Sequence, residues 1–244
     1  MDKFRAYGRF LKRGEHIYRT SAHLQWGDST KSLGCCVLLN PGSATLEKVA
    51  PELYSRLLAD GKAHGQVIPD PTMIQLATLL ERIYGQSLEW QFKIYNLFWL
   101  QNTDDQDAIE QYVELVAREE FQFDESLIEL VELEKHPWVL LGWGVKKHKR
   151  HWHPFVRIKE QWVSLIQTSG VPYFGKAHPK QKSGYYYYHP CPQIPTYRPQ
   201  IINDLEEIYN RDVRHLKINN SEDEIHGTME CYDKNAVEKH PHMK

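Results

Sequence analysis

The chain carries only 4 cysteines in 244 residues. Cys35, Cys36, Cys191 and Cys231 form no CxxC pair, which removes the spacing of a zinc ribbon or an iron–sulfur cluster and leaves reduced, structural thiols as the expectation. Long apolar runs are missing as well. No window approaches the length of a membrane span, and the opening MDKFRAYGRFLKRGEH has no apolar stretch. A soluble cytoplasmic protein without a membrane partner is the expectation. Charge of one sign is not in excess: a formal net charge of −2 excludes a uniformly basic coat for nucleic acid. A local basic face remains open, because steering depends on where charge sits. No internal repeat is present.

What is there is a 41% apolar chain, enough for one well-buried core. Leu38-Leu39-Asn40-Pro41-Gly42-Ser43 is an apolar run that stops abruptly at Asn-Pro-Gly, and three later segments repeat its logic. They are Tyr95-Asn96-Leu97-Phe98, Leu140-Leu141-Gly142-Trp143-Gly144 and Tyr188-His189-Pro190-Cys191-Pro192. Short β-rich runs ending in a polar or Gly/Pro breaker are how a parallel α/β sheet delivers side chains to the carboxyl ends of its strands. Asn40, Asn96 and His189 would then face one cleft.

Along the chain, residues 18–26 read as an irregular or antiparallel segment and 33–39 as the first buried strand. A helix over 45–59 is interrupted by Pro51, and 61–69 reads as loop. Asp70-Pro71-Thr72 starts a helix that ends at Gly85: Asp caps, Pro suits the first turn, and Ile74, Leu76, Leu79, Leu80 and Ile83 give an apolar face. A second strand follows at 92–97. The acidic stretch 104–134 has the spacing of two amphipathic helices. A third strand at 138–143, a helix at 154–167, a fourth strand at 185–188 and a closing helix at 197–209 complete the reading. Residues 1–216 are expected to form one domain with an N-terminal extension, and 217–244 a polar tail.

The ordered set LLNPG (38–42), YNLF (95–98), LLGWG (140–144) and HPCP (189–192) resembles the uracil-DNA glycosylase superfamily. The chain also looks like a bacterial domain family of uncharacterised function with the pattern NPS, DPT, NLF, WG and HPL, and Asp70-Pro71-Thr72 matches its second element. The resemblance spans about residues 33–209. It implies a three-layer α/β sandwich with a central, mainly parallel four-stranded sheet. It also implies a metal-independent, cofactor-free DNA glycosylase whose partner is DNA. On that reading Asn40 positions the water, His189 stabilises the departing base, and Asn96, Gly42 and Pro41 form the base pocket. His178-Pro179 is a second His-Pro pair, so His178 competes with His189, and Asp70 is a further candidate beside its role as a cap.

Two departures from the family pattern bear on substrate and DNA. Uracil-specific members carry a Tyr where this chain has Gly42, which argues for a damaged or 5-substituted pyrimidine, including a hypermodified base of phage DNA and hence a defence role. The Leu wedge that follows the His-Pro loop is replaced by Gln193 and Ile194. The strongest basic cluster, residues 146–153, offers Lys146, Lys147, Lys149 and Arg150 to phosphates and Trp152 for stacking. A solvated loop is the plain alternative, and the His151-x-His153 pair lacks nearby carboxylates or thiols for a metal. Two other functions stay open: a non-catalytic nucleic-acid-binding module, and a hydrolase of free nucleosides or nucleotides.

Overall fold

The computed structural model describes residues 4–85, 87–147, 149–179 and 185–216. The tail expected at 217–244 lies outside the described residues. Two long strands open the chain. β1 (Arg5–Arg13) buries Ala6, Gly8 and Phe10 in alternation, and Gly14, at φ 56°, makes the left-handed turn into β2 (His16–Gln25). The segment at 18–26 is therefore the antiparallel arm of a hairpin.

The remaining strands are β3 (Ser32–Leu38), β4 (Lys62–Val67), β5 (Gln91–Asn96), β6 (Val139–Gly142) and β7 (Tyr173–Phe174). They form one mixed sheet in the order β4-β1-β2-β5-β3-β6-β7. β1, β2 and β4 are joined antiparallel, and β2 pairs antiparallel with β5. β3 runs parallel to both β5 and β6, and β6 runs parallel to β7. This seven-stranded sheet corrects the expected central four-stranded one. Its antiparallel half is made by β1 and β2 of the N-terminal extension and by β4, where a loop is expected at 61–69. Residues 185–188 are a further correction. Tyr187 makes only isolated bridges, to Gly144 and Ala177, and the two-residue β7 takes the edge position.

Helices lie over two separate cores. β3 divides its side chains by the period of two: Cys36 and Leu38 join one core, Cys35 and Val37 the other. The first core is closed by α1 (Pro51–Asp60), α2 (Pro71–Tyr84) and α6 (Arg198–Asp212), through Leu57, Leu76, Leu80 and Leu205. The second is closed by α3 (Asp105–Ala117) and α5 (His153–Ser169), through Ile109, Tyr112, Ile158 and Trp162. Pro51 begins α1 rather than interrupting a longer helix. The second helix expected before 134 shrinks to the single turn α4 (Leu130–Leu133). Among the described residues no helix is long and apolar enough to cross a membrane.

Candidate functional site

At the carboxyl end of β3 the chain leaves the sheet at Asn40, beside a cavity of about 500 Å³. That volume suits a small organic ligand. Asn40 is anchored by its amide nitrogen. Nδ2 donates to the carbonyls of Pro41 at 3.0 Å, Leu100 at 3.5 Å and Asn102 at 2.8 Å. The loop after β5 thus holds the loop after β3. Gln101 adds two more ties, from Nε2 to the carbonyls of Gly42 and Ala44, and the Asn102 N–H donates to the Pro41 carbonyl. With its nitrogen committed to carbonyls, the Asn40 amide keeps Oδ1 as its acceptor for a water or ligand in the cavity that it lines.

His189 reaches the same cavity from the segment before α6. Its Nδ1 lies 3.1 Å from the Cys191 amide nitrogen and 3.0 Å from the Cys191 carbonyl oxygen, so Nδ1 is committed to Cys191 in either tautomer. Burial pushes the imidazole below its ordinary pKa, against the Cys191 backbone hydrogen bond and the nearby charges of Asp70 and Asp105. A neutral ring results, with Nε2 left for the cavity. When Nδ1 accepts the Cys191 N–H, Nε2 carries the proton and is a donor.

Asp70 has two roles at once. Its Oδ1 accepts the Met73 N–H at 2.9 Å and caps α2, as expected, while the residue is buried and lines the cavity. Arg19, on β2, faces it: Nη1 lies 3.7 Å from Asp70 Oδ2, and both side chains are 4% exposed. Burial pushes the guanidinium pKa down, opposed by the Asp70 charge. Sequence reasoning missed Arg19, because one arginine in the mixed run Tyr18 to His23 carries no signal that its side chain turns inward.

Gly42 lines the cavity, and a Cβ there would meet Asp70 Oδ2 at 3.0 Å. Asn96 ends β5 buried, with Nδ2 lacking a hydrogen-bond partner, and it is not among the residues that line the cavity. Pro41 and His178 do not line it either. His178 stacks on Tyr188 at 5.6 Å, so of the two His-Pro pairs the cavity takes His189. Gln193 and Ile194 stand at the cavity, and Ile194 is 55% exposed.

The basic run divides. Lys146 lines the cavity and pairs with Asp105; Lys149 and His151 both pair with Glu110, whose carboxyl is held down at about 2, chiefly by Lys149. Lys147 and Arg150 are exposed, and His148 lies outside the described residues. Trp152 is 1% exposed, packed edge-on against Phe155 in the second core, so its indole face cannot stack on a base. Among the described residues no group of three or more His, Cys, Asp or Glu is placed to hold a metal ion. Comparison of the chain with protein-family models, with curated proteins and with solved structures found no match.

Proposed function

We propose that this protein is a DNA glycosylase of the uracil-DNA glycosylase kind, hydrolysing the bond between sugar and base of a damaged or modified nucleotide to leave an abasic site. The observation that carries the reading is the pairing of Asn40 and His189 at one cavity, each with one side-chain nitrogen committed to backbone. Cleavage of a base–sugar bond builds positive charge on the sugar and negative charge on the base, so it needs a positioned water and a donor aimed at the base. Asn40 Oδ1 holds the water. Neutral His189, protonated at Nε2, donates to the departing base. The base enters the cavity flipped from its stack, because the bond is out of reach inside a duplex. Gln193 and Ile194, at the rim, occupy the vacated place. Hypermodified pyrimidines of invading phage DNA are the substrates that would make this a defence enzyme.

The test is incubation of the purified protein with DNAs carrying uracil, 5-hydroxymethylcytosine or glucosylated cytosine, and with phage genomic DNA, reading abasic sites and released bases by mass spectrometry. Release of one base, abolished by Asn40→Ala and by His189→Ala, is the expected result. Salt-sensitive binding without release from any of these DNAs would sink the enzyme reading and leave a binding module.

A second reading is hydrolysis of free nucleosides or nucleotides. It is favoured by the pairing of Lys146 and Lys149 with carboxylates, which takes two cations away from DNA phosphates. Charge reversal at Lys147 and Arg150 separates the two: it abolishes cleavage of DNA and leaves cleavage of a nucleoside intact.

A further inference from the structure

The cavity floor contains a charge couple that neither the water-positioning Asn40 nor the donor His189 requires. Arg19 stands on β2 in register with Phe10, inside the sheet, where burial of a guanidinium costs free energy unless acceptors compensate it. Compensation is incomplete. The nearest carboxylate oxygen, Asp70 Oδ2, lies 3.7 Å from Nη1, beyond hydrogen-bonding distance, and both Nε and Nη1 are without a hydrogen-bond partner. Asp70 spends Oδ1 on the Met73 N–H, so its Oδ2 is not committed to the helix. Gly42, with no Cβ, lets that oxygen approach the Asn-Pro-Gly loop. A buried polar group with no partner is rare in a native interior; Nε and Nη1 are closed to solvent, while Arg19 as a residue lines the cavity, where a ligand can offset its charge.

The couple also says what kind of ligand. A phosphate would gain from Arg19 and lose to Asp70 beside it, whereas a neutral group offering one N–H and one lone pair satisfies both residues without a charge mismatch. We propose that Arg19 and Asp70 read the base in this cavity: Asp70 Oδ2 accepts from a ring or exocyclic N–H, and Arg19 donates to the adjacent lone pair. The inference rests on the reading of the cavity as a nucleobase pocket. It gives base recognition to this couple in place of Asn96, which does not line the cavity. The edge is either the lactam edge of a keto base or the amino-imine edge of an amino base. Alkylation of the ring nitrogen destroys either.

The experiment is an NMR titration of the full chain with 2′-deoxyuridine, 2′-deoxycytidine, 3-methyl-2′-deoxyuridine and orthophosphate, following backbone amides of Gly42, Thr72 and Met73. One unmodified nucleoside is expected to shift these amides, and the stronger of the two identifies the edge. The 3-methyl analogue is expected to bind at least about tenfold more weakly than the tighter of the two unmodified nucleosides, the loss typical of a hydrogen bond to a charged group. The double variant Arg19→Met/Asp70→Asn removes both charges together, and Asn keeps the cap of α2. It is expected to fold and to lose the discrimination. Binding of the 3-methyl analogue equal to that of the tighter unmodified nucleoside, stronger binding of orthophosphate, or binding of none of the four overturns the proposal. Assayed in parallel on DNA, abasic-site formation with base preference unchanged in the double variant overturns the couple and spares the glycosylase. Edge-dependent nucleoside binding without cleavage of any DNA does the reverse.

Discussion

Asp70 Oδ2 stands 3.0 Å from the position that a Cβ on Gly42 would take, so the Asn-Pro-Gly loop and the cap of α2 are in direct steric register. Asp70 is held at Oδ1 by the Met73 N–H, Arg19 Nη1 stands 3.7 Å from its Oδ2, and the loop is tied through Gly42 and Ala44 to Gln101. Gly42→Ala is expected to lower stability by about 1 kcal/mol, the low end of overpacking costs, and to reduce cavity function more than that loss accounts for. Urea unfolding and base release, measured on the same preparation, check this. Wild-type values in both would show that Asp70 moves freely.

Trp152→Ala separates packing from stacking. The indole is 1% exposed among the residues of the second core, so truncation is expected to cost about 3–5 kcal/mol, as for other buried aromatics. The salt dependence of DNA binding, measured at a temperature where the variant is folded, is expected to keep its slope. A large drop in affinity with little loss of stability would restore the stacking role.

The four cations of the basic run are expected to be unequal. Lys146 and Lys149 already have carboxylate partners in Asp105 and Glu110, whereas Lys147 and Arg150 are exposed. Neutralising Lys147 or Arg150 should each lower the slope of log K against log salt by about 1. Neutralising Lys149 should change it less, and Glu110→Gln, which releases Lys149 and His151, should raise affinity. Fluorescence anisotropy across a salt series ranks the variants, and equal effects at all four positions would count against the pairing.

The segments at Asn40, Gly144 and His189, which reach the cavity, were legible because the signal is local: each run stops at a breaker within a few residues, whereas Asn96 ends the same kind of run and does not line the cavity. The cap at Asp70 was legible for the same reason. β4 was not, since Ala63, Gly65 and Val67 alternate inward as residues too small to stand out from a loop. The neutralisation of the basic run was hidden by distance, because the partners of Lys146 and Lys149 lie 41 and 39 residues earlier in the chain. Arg19 was hidden by type. Arginine is expected at the surface, and only the fold shows that its neighbours at this point are Asp70 and a cavity.

His136 predicts an acid-side loss of stability. It is 4% exposed, with Nδ1 bonded to Ser32 Oγ at 2.7 Å and Nε2 to Tyr95 OH at 2.9 Å. Burial lowers its pKa from 6.5 to about 4, against the charge of Glu132. The folded value lies below the unfolded one, so the stabilisation is complete above about 6.5 and is lost as pH falls toward 4. The contribution is about 3 kcal/mol over that window. Denaturant unfolding at several pH values is expected to give His136→Gln a shallower decline than the wild type, and parallel declines would remove His136 from the account.

His189 makes the corresponding prediction for activity. Its ring is held below the ordinary value of 6.5 by burial, so the form present at neutral pH is the uncharged one, and no inflection in kcat/KM is expected near 6.5. The rate should instead fall only at lower pH, as the imidazole gains its second proton and Nδ1 can no longer accept the Cys191 N–H. His189→Asn should remove that acid limb while retaining part of the rate, because an amide N–H can still donate to the base without titrating. A rate that falls as pH rises through 6.5 in the wild type would mean that the charged ring is the active form, and that the Cys191 carbonyl, at 3.0 Å from Nδ1, is its true partner.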